Sequence, residues 1–143
     1  MSSRLTGWRA ALVAVAAGLL GAAVAVMALV THRHAVRVAD VLVPWGPALA
    51  VLGSVLPSLA LHSLGAGRLA VGAYGGGWCL VVLLLLDGRD EGDYLVAADT
   101  RGWGFLVVAS LAVVAVTLRG LHVADAQGRA DRADPDDLVS RRP

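Results

Sequence analysis

The densest group of side chains that could do chemistry is a run of carboxylates that opens with Asp87, Asp90, Glu91 and Asp93 and ends at Asp99. Carboxylates clustered beside glycines are ligands that a hard cation such as Ca²⁺ accepts. The spacing lacks the glycine and the terminal Glu of an EF-hand loop. It also lacks the full aspartate spacing of lipid-alcohol phosphotransferases. We therefore predict a solvated acidic loop on the outer side of a membrane, available for an outer contact, and assign no metal to it.

His32 and His34 are the other pair with ligand chemistry, two residues apart around Arg33. No Cys lies near them and the first carboxylate downstream is Asp40, so the ligand set of a structural zinc site is incomplete. The lone Cys79 lies in an apolar run and has no partner for an internal disulfide. The sequence predicts no metal site and no cofactor.

Pro57 lies well inside an apolar stretch with Ser54 and His62 on either side. A proline inside a helix removes one backbone hydrogen bond and clashes with the preceding turn, so a kink is expected. Two interpretations stay open. The kink is a packed structural feature, or it lines a cavity whose walls carry Ser54, His62 and Ser63.

Sequence motifs of catalysis are missing. The chain has no GxSxG, HExxH, phosphate-binding glycine loop or CxxC, so hydrolase, protease, nucleotide and thiol-redox chemistry have no residues to use. No Asp, Glu, Arg or Lys lies inside the apolar runs, whereas proton-coupled export needs a buried carboxylate. The net charge of +1 lacks the basic footprint of nucleic-acid binding. We predict no catalytic residue, no enzyme activity and no nucleic-acid partner.

The elements that must position these residues are four long uncharged runs. Hydrophobic residues make up 57% of the chain and charged residues 16%, and the charges are confined to the ends and the connections. About 20 residues of helix cross a hydrocarbon core of about 30 Å. We predict an N-terminal tail over 1–9, a membrane domain over 10–120 and a polar, disordered tail over 121–143, with spans at 10–30, 44–64, 69–86 and 102–118. The first run is too long for the apolar core of a signal peptide.

The predicted fold class is all-α, a four-helix transmembrane bundle with antiparallel neighbours and both termini cytoplasmic. Gly65 to Arg68 is typical of a tight turn between the second and third spans. Orientation follows the excess of arginines on the cytoplasmic side. With both termini inside, six arginines (Arg4, Arg9, Arg68, Arg119, Arg129, Arg132) face four (Arg33, Arg37, Arg89, Arg101).

Small residues recur at helical spacing in two of the runs. Helices in lipid associate through close backbone contact, for which small-xxx-small patterns are the signature. Gly18 and Gly21 mark such stripes in the first span, and Gly72 and Gly76 in the third, with Gly75 and Gly77 beside them. These residues are the candidate helix-packing positions, within the chain or between chains.

A resemblance to a known family is carried by three segments in order: Pro44-Trp45-Gly46-Pro47, Gly92-Asp93-Tyr94-Leu95-Val96, and Arg101-Gly102-Trp103-Gly104-Phe105. Over residues 8–120 the chain resembles uncharacterised four-helix integral membrane proteins of actinobacteria, a family of unknown function. The absence of Lys, Ile and Asn fits a GC-rich genome. The resemblance implies a membrane location and four helices, and it carries over no functional residue.

Three functions remain as hypotheses. The favoured one is a non-enzymatic subunit, assembly factor or scaffold of the bacterial plasma membrane, with the lipid bilayer and other membrane helices, its own or those of a larger complex, as partners. The alternative is a small transporter or lipid-handling protein with a cavity near the Pro57 kink. The third is an enzyme that acts through the Asp87–Asp99 carboxylates.

Overall fold

The computed structural model describes residues 2–86 and 100–130. It contains four helices and one short hairpin, in the order α1 (Ser2–Thr31), β1 (Val36–Val38), β2 (Val41–Val43), α2 (Trp45–Ser63), α3 (Arg68–Leu86) and α4 (Thr100–Ala130). All four helices are long and apolar enough to cross a membrane, over Gly7–Thr31, Trp45–Ser63, Arg68–Leu86 and Gly102–Val123. The all-α four-helix bundle is confirmed.

The helix ends differ in places from the expected spans. α4 continues to Ala130, well past residue 118, so the beginning of the segment predicted as a tail is helical. Its sequence from Arg119 onward is polar but contains no proline before Pro135 and only two glycines, so backbone propensity does not end the helix at the last apolar turn. The rest of the predicted tail, from residue 131, lies outside the described residues.

The turn between α2 and α3 is built by glycine, as expected. Gly65 and Gly67 have φ of 65° and 85°, values that a residue without a Cβ adopts easily. The Ala66 amide donates to Leu61 O at 3.0 Å and the Gly65 amide to His62 O at 3.1 Å, the paired bonds of a Schellman helix end. α2 and α3 are therefore antiparallel, and we call this side of the bundle the glycine-turn end.

The opposite side, the hairpin end, holds the connection between α1 and α2. A short polar loop was expected there, and the structure instead has an antiparallel hairpin. Valines alternate with other residues on both strands around Ala39-Asp40, the pattern of a two-residue hairpin. Ala39 and Asp40 have φ of 44° and 62°, so both occupy the left-handed region that a type I′ turn requires.

The most extensive helix contact joins α1 to α3, which run in the same direction. α2 contacts α4, α1 contacts α2 and α3 contacts α4 along smaller areas, and α2 and α3 touch less than any of these pairs. Sequence neighbours are antiparallel, so helices two apart in the chain are parallel. The main core lies between all four helices, around Trp78, Ala109 and Val113.

Candidate functional site

Ser54 is the centre of a buried polar network between α2 and α3. Its hydroxyl donates to Ala50 O at 2.8 Å and accepts from the Trp78 indole N–H at 3.1 Å. Its backbone carbonyl accepts from the Tyr74 hydroxyl at 2.6 Å. Ser54, Tyr74 and Trp78 are almost completely buried. Each polar group of the three side chains thus has a partner inside the chain, as buried polar groups in lipid require.

Ser58 lies one turn further along α2, is completely buried, and its hydroxyl makes no hydrogen bond. A helical serine commonly donates to the carbonyl four residues earlier. Here that carbonyl belongs to Ser54 and already accepts from Tyr74. Pro57, the preceding residue, is half-buried and α2 continues through it to Ser63.

His62 is half-buried near the glycine-turn end. A Cβ placed on Gly120 of α4 would lie 3.7 Å from His62 Nδ1 and 3.0 Å from Val71 Cγ1. His62, Val71 and Gly120 therefore mark the level at which α2, α3 and α4 meet. The structure brings Ser54 and His62 onto the same side of α2, toward α3 and α4.

Gly18 and Gly21 lie in the contact between α1 and α3. A Cβ on Gly21 would overlap the Tyr74 carbonyl and approach Trp78 N to 3.1 Å. A Cβ on Gly77 would overlap the carbonyl of Gly18 in the same way. The two backbones touch along this line, which we call the α1–α3 seam. Close approach of this kind is what small residues permit in a membrane.

Gly72 and Gly76 take no part in that seam. Gly76 is exposed, with nothing within 4 Å of its Cβ position, and Gly72 would meet only the end of Leu121 at 3.9 Å. The α3 glycines at internal contacts are instead Gly77, which faces α1, and Gly75, which faces α4. A Cβ placed on Gly75 would lie 2.6 Å from Thr117 Oγ1. Successive residues of a helix face directions about 100° apart. Gly76 therefore faces a direction between those of Gly75 and Gly77, where neither α1 nor α4 lies.

Two grooves on the sides of the bundle are lined wholly by residues that the structure describes. The larger, about 630 Å³, lies between α2 and α4 at the hairpin end, and the smaller, about 270 Å³, lies between α1 and α2. Both have mainly apolar walls. Ser54, Pro57 and His62 line neither groove, so neither groove is the cavity that was considered for the Pro57 kink.

The hairpin end carries the two histidines. His32 is buried, stacks on Phe105 with ring centroids 4.8 Å apart, and its Nδ1 lies 2.6 Å from Leu29 O. His34 is exposed and its ring lies 5.7 Å from that of Trp45. The rings serve two different helix contacts. Among residues 2–86 and 100–130, no three His, Cys, Asp or Glu side chains come together as a metal site.

The predicted contact residues of the acidic loop, Asp87, Asp90, Glu91 and Asp93, lie outside the described residues.

The fold and its interior together define the class of the protein, a four-helix bundle whose helices are long and apolar enough to cross a membrane, with a hydrogen-bonded serine network between two helices and a glycine seam between two others. The chain matches no family model, no curated protein and no solved structure. Its resemblance to the actinobacterial membrane proteins therefore stays a prediction.

The sequence predicted neither the buried, unbonded hydroxyl of Ser58 nor the hairpin. A signal existed for the hairpin, in the alternating valines around Ala39-Asp40. None existed for Ser58, because its missing acceptor depends on Tyr74, a residue of another helix.

Proposed function

We propose that this chain is a non-enzymatic subunit, assembly factor or scaffold of the bacterial plasma membrane, and that it binds other membrane helices through α3. The observation that carries the proposal is Gly76, which lies on the outward side of α3 with nothing within 4 Å of its Cβ position. Around it lie Leu69, Gly72, Leu80 and Leu83. We call these five residues the α3 outer face.

The spacing of the α3 outer face is that of a helix contact. Leu69, Gly76 and Leu83 recur every seven residues, the repeat of two helices that wrap around each other. Contact with lipid alone would explain the exposed leucines, because lipid tails are equally apolar. A glycine one turn from another glycine on such a face gives up side-chain packing against lipid and permits a second backbone to approach.

The same device is already used inside the chain. In the α1–α3 seam, Gly18 and Gly21 let the backbone of α1 touch that of α3. The α3 outer face repeats the pattern where, apart from the end of Leu121 near Gly72, none of the described helices covers it. Only 22–33% of the residues in the hydrophobic window of each candidate span are buried, which leaves room for further helices around the bundle.

The experiment is crosslinking in native membranes, followed by gentle detergent extraction and mass spectrometry of the co-purifying proteins. It compares the unchanged chain with Gly76→Leu and with the matched control Gly53→Leu, since Gly53 of α2 is also exposed with nothing within 4 Å. We expect a stoichiometric crosslink to another membrane protein, or to a second copy of this chain, that Gly76→Leu abolishes and Gly53→Leu preserves. Equal crosslinking by both variants, or recovery of a monomer alone, would overturn the proposal.

A small transporter or lipid-handling protein is the second candidate, and one observation favours it. The hydroxyls of Ser58 and Thr117 are buried without a hydrogen bond, and Ser58 follows Pro57. Labelling tests it: Ser58→Cys in a Cys79→Ala background should react with a small water-soluble thiol reagent if a cavity reaches this level. If the cysteine at position 58 reacts with the reagent as little as the cysteine of Ser54→Cys in the same background, the transporter or lipid-handling function is contradicted.

The enzyme hypothesis depends on carboxylates outside the described residues. If an activity at the membrane face is found, changing Asp90, Glu91 and Asp93 together to Asn or Gln would abolish it under this hypothesis. Activity that is retained in this triple variant would contradict the enzyme hypothesis.

A further inference from the structure

The hairpin between α1 and α2 has one face made of valine. Val36 pairs with Val43 and Val38 with Val41, while Arg37 pairs with Leu42. Directly opposite residues of an antiparallel pair point to the same side, and successive residues point to opposite sides. The four valines therefore share one face, the valine face, and Arg37 and Leu42 share the other.

The valine face is open. Its four side chains are between 42% and 62% exposed, so none of the helices in the described part of the chain covers it. Four adjacent β-branched side chains exposed together form an apolar patch, and such patches mark contacts with a membrane or a protein.

The base of the hairpin is fixed against the two helices that it joins. The Gly46 amide in the first turn of α2 donates to His34 O at 2.9 Å. A Cβ on Gly46 would overlap the carbonyl of Thr31 and approach His34 N to 2.8 Å. The start of α2 thus touches the end of α1, and the hairpin emerges directly from this contact.

The length of α2 places that contact relative to a bilayer. α2 has 19 residues, which at 1.5 Å per residue span about 28 Å, close to the hydrocarbon thickness of about 30 Å. With Ser63 at one boundary of the hydrocarbon, Trp45 lies at the other. The hairpin therefore begins where the hydrocarbon ends.

The hairpin cannot reach far from there. Each strand has three residues, about 10 Å at most, and the headgroup layer adds about 5–8 Å on each side of the hydrocarbon. Even when the hairpin stands upright, about half or more of each strand lies within the headgroup layer, and any tilt increases that share. A patch of valines at this depth meets lipid before it meets any other partner.

We propose that the valine face is a lipid-contacting surface, which lies against the acyl-chain boundary of the bilayer, and that Arg37 on the opposite face is directed to phosphates and water. The hairpin is then an interfacial anchor, the strand counterpart of an amphipathic helix lying in the membrane plane. This inference is independent of the proposed function, because the valine face and the α3 outer face share no residue.

Site-directed spin labelling of the full chain tests it, in vesicles of phosphatidylcholine and phosphatidylglycerol that contain no other protein. In a Cys79→Ala background, nitroxides are attached at Val38→Cys and Val41→Cys of the valine face and at Leu42→Cys of the other face. A fourth label at Leu111→Cys, 65% exposed on the side of α4, reports that the bundle is inserted and folded. Collisions with oxygen, which concentrates in lipid, and with a water-soluble nickel chelate measure the surroundings of each label.

We expect the labels at positions 38 and 41 to collide several-fold more with oxygen than with the chelate, and the label at position 42 to show the reverse. Equal access of the chelate to both faces, with the label at position 111 in lipid, would overturn the proposal and leave the valine face free for a protein strand. Low access of both reagents at positions 38 and 41 would overturn it too, because it would place a second copy of the chain on this face.

Discussion

The Tyr74 hydroxyl of α3 donates a 2.6 Å hydrogen bond to the backbone carbonyl of Ser54 in α2. α2 and α3 otherwise touch little along their lengths, so this bond and the Trp78 bond one turn away are specific links between them. The acceptor is a helix carbonyl, whose second lone pair is free for an outside donor. The bond therefore gives the Tyr74 hydroxyl an acceptor without breaking a backbone hydrogen bond of α2.

Tyr74→Phe removes this donor and keeps the ring. We expect the free energy of unfolding to fall by about 0.6–1.5 kcal/mol, the range for single hydrogen bonds in proteins and between membrane helices. Reversible unfolding in mixed micelles, followed by circular dichroism, measures it. Trp103→Phe is the control, because Trp103 is 58% exposed, and a loss no larger than the control's would mean that the Tyr74 bond contributes nothing.

Ser54→Ala and Ser58→Ala compare a bonded with an unbonded hydroxyl one turn apart. Ser54→Ala leaves the buried Trp78 N–H without an acceptor, so we expect a loss of about 1–3 kcal/mol. Ser58→Ala removes a hydroxyl that has no partner, so we expect unchanged or slightly raised stability. The same unfolding assay reads both, and a comparable loss in Ser58→Ala would show that its hydroxyl is bonded in the membrane.

Gly21→Ala adds a methyl group where the α1–α3 seam has no room, since its Cβ would overlap Tyr74 O. Backbone atoms cannot move aside like the end of a side chain, so α1 and α3 must separate. We expect a loss of about 1–3 kcal/mol, the usual effect of overpacking. Gly53→Ala, at an open position of α2, is the matched control and should stay within about 0.5 kcal/mol of the unchanged protein.

A disulfide-crosslinking assay checks the geometry of this effect. Cysteines introduced at Ala17 and Ala70, which pack in one buried cluster, report the spacing of the two helices in a Cys79→Ala background. Crosslinking should slow when Gly21→Ala is added and stay constant with Gly53→Ala. An unchanged rate with both would contradict the close contact.

Ala39→Asn should stabilise the hairpin. Ala39 has a φ of 44°, and the left-handed region costs most residues about 1–2 kcal/mol, whereas Asn visits it routinely. We expect slower hydrogen exchange at the hairpin amides, measured by mass spectrometry of the protein in nanodiscs. Ala35→Asn, outside the turn, is the control, and equal exchange in both variants would show that the turn is not strained.

Much of the fold follows from local sequence. Uncharged runs of sufficient length predict the four helices, and Gly65 with Gly67 predicts the turn between α2 and α3. The hairpin was not predicted, although its valines alternate, because His32, Arg33 and Arg37 gave the segment the appearance of a polar loop. The position of Gly76 was also not predictable, because in a helix with Gly72, Gly75, Gly76 and Gly77 the sequence does not say which glycine meets a neighbour.

The sequence by itself determined the number of helices, their approximate positions and the lack of charge within their apolar runs, because each depends on the transfer of one segment at a time from water to lipid. The tertiary structure decided that α1 packs along the parallel helix α3, that Ser54 rather than Ser58 is bonded, and that the other described helices leave most of the α3 outer face uncovered. These features depend on which backbones approach each other. In an apolar solvent, close packing and single hydrogen bonds between residues far apart in the sequence determine which backbones meet. Hydrophobicity patterns do not encode these contacts.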